Sequence, residues 1–256
     1  MKKRIDAAIF GGFGFTSPSG YEVEVINTPY GKVDAYIMNV RGRGVALIPR
    51  HAGAAAHTPP HKINYRANVW AARDLGAEHI ISTNSVGTMK GHPIGSFVIA
   101  SDFIDLTKNR VSTFFDEETV HVDMGQPYCP QIRRCIIDSL DAKGIPYSEG
   151  IYVCTEGPRF ETKAEIAMMS HFGDVVGMTG VPEVVLAKEL GLCYASICAV
   201  TNYACGMCEG KLTVDEVKEA LDRNRNILSG ILADAIEALP EKRDCNCMHS
   251  IDGAKV

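Results

Sequence analysis

The stretch that decides the fold is residues 175–203, VVGMTGVPEVVLAKELGLCYASICAVTNY. Residues 175–178 and 192–200 are short apolar runs, which predicts two buried strands. Between them, residues 182–190 predict a helix, with Pro182 in its first turn and Gly191 after its last. A strand, a helix and a second strand in this order indicate an α/β fold.

Polar residues follow both predicted strands. Thr179 comes just after the first strand, and Thr201 and Asn202 come just after the second. In α/β sheets, ligands collect at the carboxyl ends of the strands. Upstream, Phe160 and Glu161 open a further predicted helix and offer an aromatic face beside a carboxylate. The sequence therefore predicts a site for a flat heterocyclic ligand, built from these side chains.

The rest of the chain extends the same α/β pattern. Further apolar runs predict strands at residues 7–10, 21–28, 33–40, 45–48, 80–83, 97–103 and 151–154. Helices are predicted at residues 62–75 and 132–140, and a long last helix follows the capping-box sequence that begins at Thr213. We expect a single domain over residues 1–256, with a polar C-terminal tail at 241–256 that is ill-ordered at its end.

Composition and charge exclude several classes of protein. The 256 residues are 46% hydrophobic, enough for a sizeable core, and the formal net charge is -5. Lys and Arg are scattered rather than clustered, so no nucleic-acid partner is expected. The sequence contains no apolar run of about 18 residues, so no membrane association is expected. The apolar run after the basic N-terminus is too short for a secretory signal, and we expect a cytoplasmic protein.

The nine cysteines do not indicate a secretory disulfide framework, because their number is odd and several lie in apolar segments. Cys205 and Cys208 form a C-x-x-C pair, and Cys245 and Cys247 form a C-x-C pair. Together these four would bind zinc or form disulfides. C-x-C is a poor spacing for structural zinc, and Cys205 lies beside the predicted binding site, so the sequence predicts no metal.

Seven motifs along the chain carry a family resemblance. They are Arg50-His51, NYRAN at 64–68, NSVG at 84–87, PYCP at 127–130, GPRFET at 157–162, GMTGVPEV at 177–184 and AVTNY at 199–203. Together they resemble the motifs of purine nucleoside phosphorylases, specifically the trimeric branch that contains methylthioadenosine phosphorylase. The resemblance implies a nucleoside phosphorylase-like fold, a single domain with a central mixed, twisted β-sheet flanked by helices.

The resemblance also implies the reactants and the assembly. The partners would be a small-molecule purine nucleoside and inorganic phosphate as co-substrate, with no metal and no organic cofactor. Subunits would form a homotrimer, and two trimers would be able to pair into a hexamer. Archaeal-type members of the family carry a C-terminal C-x-C disulfide, which implies a bond between Cys245 and Cys247.

Phosphate binding is assigned by the resemblance to four positions. Arg50 and His51 would contact the anion with their side chains. Thr179 would contribute its hydroxyl and Ser85 its backbone N–H. Asn84 would shape the turn that presents Ser85, although Asn and Ser are common in ordinary turns as well.

Two departures from the family pattern affect the phosphate site. The family has Ser or Thr where this chain has Phe13, which cannot donate a hydrogen bond. This departure has three alternative consequences. Backbone amides would bind the phosphate without the hydroxyl, Thr16 or Ser17 would supply a hydroxyl instead, or phosphate would bind more weakly than in the family. By resemblance His57 also approaches the site, although the loop at 52–56 between Arg50 and His57 is one residue longer than in the family.

Other residues would contact the nucleoside. By resemblance, Phe160 packs against the purine and Met178 lies beneath the ribose, although both residue types are common in cores. His121 would reach across a subunit interface toward the sugar, or would be an ordinary surface histidine. Val214 and Val217 occupy the region of the 5′ substituent, where an apolar pocket favours a methylthio group over a hydroxyl; both would equally suit a helix core.

Glu161 and Asn202 distinguish between purines. A 6-oxopurine carries an N1–H donor that Glu161 can accept, while the Asn202 side chain can donate to N7 or O6. Adenine presents a lone pair at N1, a mismatch with the carboxylate of at least ~1–3 kcal/mol. The adenine-specific branch has Asp at the position of Asn202, Asp near Ala204 and Ser near Glu161, and this chain departs from it at all three. We expect Glu161, Asn202 and His51 to act in catalysis.

The sequence therefore predicts phosphorolysis of 6-oxopurine nucleosides, with 5′-methylthioinosine as the best substrate and hypoxanthine and 5-methylthioribose 1-phosphate as products. The alternatives within the family are a methylthioadenosine phosphorylase and a general inosine or guanosine phosphorylase. A nucleoside hydrolase and a non-catalytic nucleoside-binding protein are the alternatives outside it.

Overall fold

The computed structural model describes residues 5–11, 20–51, 57–209 and 213–256. These ranges contain nine strands: β1 (Ala7–Gly11), β2 (Glu22–Thr28), β3 (Gly31–Val40), β4 (Arg43–Pro49), β5 (His79–Thr88), β6 (Phe97–Leu106), β7 (Tyr147–Thr155), β8 (Val175–Gly177) and β9 (Cys193–Tyr203). They also contain the helices α1 (Tyr65–Asp74), α2 (Pro130–Ala142), α3 (Lys163–Met169), α4 (Glu183–Glu189) and α5 (Val214–Glu237). Short 3₁₀ helices lie at Pro60–Lys62 and Asn246–His249.

The strands form one mixed sheet, in the order β2-β3-β4-β1-β5-β8-β7-β6-β9. β1 runs parallel to both β4 and β5, while β2, β3 and β4 pair antiparallel. β9 pairs with β5 as well as with β6, so β5, β8, β7, β6 and β9 close into a barrel. This closure pairs what would otherwise be an open sheet edge. The predicted mixed sheet flanked by helices is confirmed.

The strands of the 175–203 stretch are not neighbours in the sheet. β8 is antiparallel to β5 whereas β9 is parallel to it, so β8 and β9 run in opposite directions. The expectation that both strands present their carboxyl ends at the same edge of the sheet is therefore wrong. β9 continues to Tyr203, so Thr201 and Asn202 lie within its carboxyl end and not after it. Thr179 still comes close to them, because the chain after the three-residue β8 turns toward the middle of β5. There Thr179 Oγ1 donates a hydrogen bond to Asn84 Oδ1 at 2.8 Å.

Helices cover both faces of the sheet. α1 and α4 contact each other and pack on one face, whereas α2 and α5 pack together on the other. Strand β1 shows how one apolar run serves both cores: Ala8 and Phe10 face the first, and Ala7 and Ile9 face the second. Side chains alternate across a strand, so a strand buried on both faces needs a continuous apolar sequence.

Two predicted boundaries in the first half of the chain need correction. The helix predicted from residue 62 begins at Tyr65, because the Asn64 side chain accepts a hydrogen bond from the Ala67 N–H at 3.1 Å and caps it. The strand predicted at 80–83 continues to Thr88, because its pairing with β9 continues that far. Asn84 and Ser85 therefore lie within a strand and not in a turn.

The C-terminal tail was wrongly expected to be ill-ordered. It packs along the protein surface, where Lys255 forms an isolated bridge with Val120. Cys245 and Cys247 are buried in the same core as α2 and α5. Both are free cysteines, so the disulfide implied for them is absent from this structure. None of the helices in the described ranges is long and apolar enough to cross a membrane.

Candidate active site

Within the described ranges, one edge of β5 has no strand partner midway along the barrel. β1 pairs with β5 as far as Ser82 and β8 pairs from Gly87, and the described residues place no strand on the edge between them. On this edge the Thr83 carbonyl accepts a hydrogen bond from Arg50 Nη1 at 2.7 Å. Residues two apart in a strand direct their peptide groups the same way, so the Ser85 N–H faces this gap too. Ser85 thus offers a backbone donor there.

A cavity of about 220 Å³ lies beside this gap. It is lined by most of the residues predicted from the sequence: His51, Ser85, Phe160, Glu161, Met178, Thr179, Asn202, Val214 and Val217. The rest of its wall consists of His57, Pro60, Thr83, Pro158, Val176, Gly177, Thr201, Ala204 and Gly87. Residues far apart in the sequence thus converge on one concave surface of mixed polarity, the usual form of a small-molecule site.

Tyr152 holds the chain segment that carries Thr179. Its phenolic oxygen accepts hydrogen bonds from the backbone N–H groups of Thr179 and Gly180, both at 3.2 Å. A Cβ at Gly177 would lie 2.6 Å from the Tyr152 hydroxyl, and one at Gly180 would lie 2.8 Å from its ring. Glycine at both positions lets this buried tyrosine approach the backbone. The Thr179 hydroxyl is then fixed by its bond to Asn84.

A register shift places Asn202. Opposite Val86 and Gly87, strand β9 contains the extra residue Thr201, so Val86 pairs with Val200 and Gly87 with Asn202. Such a bulge redirects the side chains beside it. The side-chain oxygen of Asn202 accepts a hydrogen bond from Thr201 Oγ1 at 2.9 Å. Its amide nitrogen lies close to Gly87, where an added Cβ would be only 2.9 Å away.

Glu161 is buried, and its orientation is set by Thr155. The Thr155 hydroxyl donates to Glu161 Oε1 at 2.6 Å. Glu161 precedes helix α3, which begins with a capping box between Thr162 and Glu165, so the helix starts slightly later than predicted. Phe160, beside it, is 37% exposed and therefore has a free face toward the cavity.

His51 is held in its neutral form. Burial lowers its pKa to about 4, and the charge of Arg50 contributes to this shift. Nδ1 lies 2.8 Å from the Thr58 carbonyl oxygen, which can only accept, so Nδ1 carries the proton and Nε2 is an acceptor. The His57 ring stacks on His51 with centroids 4.4 Å apart. The structure therefore brings His57 to the cavity, as the resemblance implied.

Arg50 lies behind the cavity wall. Its Nε donates to Glu183 Oε1 at 2.5 Å and one Nη2 hydrogen goes to Ser82 Oγ at 2.6 Å. Both side chains of the Arg50–Glu183 pair have 0% exposure. Burial alone would lower the pKa of Arg50, but the Glu183 carboxylate raises it above its usual value. In this structure Arg50 contacts the wall through Thr83 and does not line the cavity.

Two other predicted residues are not placed in the cavity. His121 lies in the irregular segment after β6, where its N–H donates to the Ala254 carbonyl at 2.9 Å. Phe13 lies outside the described residues, as do Thr16 and Ser17.

Sequence reasoning missed the residues that position the site. Tyr152, Thr155 and Glu183 each hold a predicted site residue through side-chain contacts. Tyr152 and Thr155 lie in or at the end of an apolar strand and resemble core residues, and Glu183 resembles an ordinary acidic residue in a helix first turn. Their partners are distant in the chain, so no local pattern distinguishes them. Gly177 and Gly180 were the signal that could have revealed Tyr152, because glycine in or beside a strand often marks a place where another group closely approaches the backbone.

A mixed sheet that closes into a barrel, with a cavity lined by Phe160, Glu161 and Thr179 beside the free edge of β5, defines a class of protein. The model of the phosphorylase superfamily matches residues 7–237, and the chain belongs to this family. Among its relatives, a probable S-methyl-5′-thioinosine phosphorylase from Methanosarcina acetivorans is 57% identical over 249 residues, covering 97% of this chain and 96% of the relative. A 6-oxopurine nucleoside phosphorylase from Pyrococcus furiosus is 45% identical over 261 residues, covering 96% of this chain and 98% of the relative.

Solved structures agree with this assignment. Methylthioadenosine phosphorylase from Schistosoma mansoni in complex with adenine superimposes with a TM-score of 0.91 at 31% identity, covering 98% of this chain and 99% of that one. The family resemblance inferred from the seven motifs is therefore confirmed.

Proposed function

We propose that the protein cleaves the N-glycosidic bond of 6-oxopurine nucleosides with phosphate, and that 5′-methylthioinosine is its best substrate. The products are hypoxanthine and 5-methylthioribose 1-phosphate. The observation that carries the proposal is that Glu161 and Asn202 line the same cavity as His51 and Thr179. Groups suited to a 6-oxopurine and groups suited to an anion thus border one ligand-sized space.

In the proposed reaction a phosphate oxygen bonds to C1′ of the sugar as the bond from C1′ to N9 breaks. The electron pair of the broken bond leaves with the purine, which takes up a proton. Thr179, the Ser85 N–H and His51 hold the phosphate. Because His51 is neutral with an acceptor at Nε2, it would accept a hydrogen bond from the O–H of the phosphate dianion. The proton that the phosphate loses when it becomes the sugar ester balances the one that the purine takes up. The negative phosphate also stabilises the positive charge that develops on the sugar.

Recognition of the base depends on Glu161. Its carboxylate, oriented by Thr155, accepts the N1–H of a 6-oxopurine. Adenine would place an acceptor against this carboxylate, at a cost of at least ~1–3 kcal/mol. Asn202 donates from its amide to N7 or O6, where negative charge accumulates as the purine departs.

The 5′ substituent would lie against Val214 and Val217 at the start of α5. Both valines line the cavity, and Val214 is 50% exposed in the single chain. An apolar methylthio group gains from this contact, by ~1–3 kcal/mol over a hydroxyl. The names of the Methanosarcina and Pyrococcus relatives are consistent with a 6-oxopurine nucleoside as substrate. The name of the Methanosarcina relative is also consistent with a 5′-methylthio group on that substrate.

The second candidate is a methylthioadenosine phosphorylase, the activity named for the Schistosoma structure. It shares the fold at 31% identity, well below the 57% of the Methanosarcina relative. Glu161 and Asn202 favour the 6-oxopurine reading over this one.

The deciding experiment measures initial purine release from 5′-methylthioinosine and from 5′-methylthioadenosine, each with and without phosphate. We expect phosphate-dependent release with a preference for the inosine compound of about tenfold or more. A preference for the adenosine compound would contradict the role of Glu161. Release that is independent of phosphate would indicate a hydrolase instead.

Two further proposals follow from the family. The subunits would form a homotrimer in the cytoplasm, with His121 contributed to a neighbouring site. Phe13 would weaken phosphate binding in the absence of the usual hydroxyl, so the phosphate KM should fall in Phe13→Ser. An unchanged KM would mean that other donors already satisfy the anion.

A further inference from the structure

Four cysteines converge at the end of the barrel where β9 begins. Cys129, Cys193, Cys245 and Cys247 are all buried, and their sulfur atoms lie within 4.8 Å of one another. The sulfur of Cys245 is 3.7 Å from that of Cys129 and 3.3 Å from that of Cys193. This group, the four-cysteine cluster, differs from the set suggested by the sequence. Cys205 and Cys208 border a separate cavity next to the substrate site.

The backbone holds the first two members in place. The Cys129 N–H donates to the Tyr194 carbonyl at 2.7 Å, which ties the start of α2 to the start of β9. The Cys193 N–H donates to the Glu78 carbonyl at 3.0 Å. Cys193 is thus the first residue of β9 and Cys129 the N-cap of α2, and backbone hydrogen bonds hold both at this end of the barrel.

The tail brings the other two members to this end. Arg243 Nη1 donates to the Gly191 carbonyl at 2.7 Å, just before Cys245, and the Ser250 hydroxyl donates to the Lys188 carbonyl after Cys247. A Cβ on Gly191 would lie 3.4 Å from the backbone of Met248, so the two segments are in close contact. The tail is thus fixed on both sides of its C-x-C sequence.

The separations suit one tetrahedral metal ion. With zinc–sulfur bonds of about 2.3 Å, the sulfurs of a four-thiolate site lie about 3.8 Å apart. Two of the cluster's separations, 3.3 and 3.7 Å, lie just below this value, and all the sulfurs are within 4.8 Å of one another. A disulfide requires about 2.05 Å and joins only two sulfurs. Ligands of a multi-iron cluster bind different iron atoms and would be spaced more widely.

The electrostatic setting favours thiolates. Lys188 lies close enough to Cys247 for its positive charge to act on that sulfur. Lys188 is itself only 5% exposed, which places a buried cation near the cluster. Cys129 directly precedes the 13-residue helix α2, whose N-terminus also favours negative charge. These groups offset part of the net negative charge of a metal bound by four thiolates.

We propose that the four-cysteine cluster is a structural zinc site, separate from the substrate site, that fixes the C-terminal tail to the barrel. All four coordination positions are taken by protein sulfur, as in structural rather than catalytic zinc sites. The metal would join α2, β9 and the tail, which are far apart in the sequence. Its loss would release the tail without changing the groups that contact the nucleoside.

The test is to express the full chain in zinc-supplemented medium, purify it under reducing conditions and measure metal by inductively coupled plasma mass spectrometry. We expect about one zinc ion per chain in the native protein. The zinc content per chain should fall at least tenfold in Cys129→Ser and in Cys247→Ser. The matched controls are Cys135→Ser and Cys208→Ser, which lie outside the cluster and should keep the zinc.

A second measurement avoids dependence on variants that fail to fold. Replacing zinc by cobalt in the native protein should produce thiolate-to-cobalt charge-transfer absorption and the visible bands of a tetrahedral site. Thiol titration in denaturant without reductant should count all nine cysteines as free. Zinc below a tenth of an ion per chain, iron in its place, or a disulfide among the four cysteines would each overturn the proposal.

Discussion

Strand β9 has a different kind of site at each end. At its carboxyl end, Thr201 and Asn202 join a cavity of mixed polarity. At its amino end, Cys193 joins a closed cluster of four buried sulfurs. The same strand therefore contributes to the cavity and to the four-cysteine cluster, although only the cavity is bordered by residues suited to a nucleoside and phosphate.

The difference shows how the two ends divide their roles. The cavity is built by glycines, a bulge and single hydrogen bonds that position side chains for a ligand. The cysteine end is built by four buried sulfurs that face one another and enclose a space suited to a single metal ion rather than to a nucleoside. We therefore expect changes at the cavity to alter recognition, changes at the cysteines to alter stability, and changes between the two ends to affect both.

The largest effect is expected between the two ends, at Glu183. This residue pairs with Arg50 and also accepts a hydrogen bond from the Tyr194 hydroxyl at 2.9 Å. Glu183→Gln leaves a buried guanidinium unpaired, which should reduce the free energy of unfolding by about 3–5 kcal/mol. Urea denaturation measures this loss. Asp138→Asn, which breaks the exposed pair with Arg134, is the control and should cause no measurable change; equal effects would contradict the assignment.

Next in size is the effect of Glu161→Gln on substrate choice. Replacing the carboxylate removes the charged acceptor for N1–H, so kcat/KM for 5′-methylthioinosine should fall by about 10–100-fold. Activity on 5′-methylthioadenosine should fall less or rise, because the amide can also donate. Steady-state rates with both substrates give the ratio. Glu117→Gln, in an exposed loop, should leave the ratio unchanged. A uniform loss on both substrates would assign Glu161 to folding rather than to recognition.

A smaller effect is expected for Gly87→Ala, which tests whether the bulge positions Asn202. The added methyl group would lie 2.9 Å from the Asn202 amide nitrogen and 3.3 Å from Ala204 Cα. Displacing this amide should lower kcat by about tenfold, by analogy with the loss of one oriented donor. Gly230→Ala is the control, because its methyl group would meet only the end of Lys143 at 3.8 Å. Unchanged kcat in Gly87→Ala would show that Asn202 tolerates displacement.

The smallest effect concerns pH and His51. Its pKa is lowered from 6.5 to about 4, so the unfolded chain binds more protons than the folded one between these values. The stability contributed by neutral His51 is thus present above pH 6.5 and is lost as the pH falls toward 4. His51→Gln should therefore flatten the decline of Tm across this window. His121→Gln, outside the cavity, should follow the native curve, and identical curves for all three proteins would contradict the shift.

Much of the fold and site could be predicted from local patterns. Apolar runs located each strand, and the Thr213 capping box at the start of α5 is present as expected. Boundaries were less accurate where tertiary pairing decided them. β5 continues past Thr83 only because β9 pairs alongside it, and no local signal in NSVG indicates a strand.

The four-cysteine cluster illustrates the same limit. Spacing suggested that Cys245 and Cys247 belong with Cys205 and Cys208, whereas the fold places them with Cys129 and Cys193. Sequence spacing reports which residues are close along the chain. It does not report which chain segments meet when a barrel closes and a tail packs against its end.

The sequence by itself determined the α/β class, the family and most residues of the cavity, because apolar periodicity and short motifs are local properties. Only the tertiary structure decided that β8 and β9 are antiparallel, that Arg50 pairs with Glu183 behind the wall, and that four distant cysteines meet. These features depend on strand order and on long-range contacts. Buried polar groups such as Arg50 need hydrogen-bond partners, and the fold of the whole chain determines which distant residue becomes that partner.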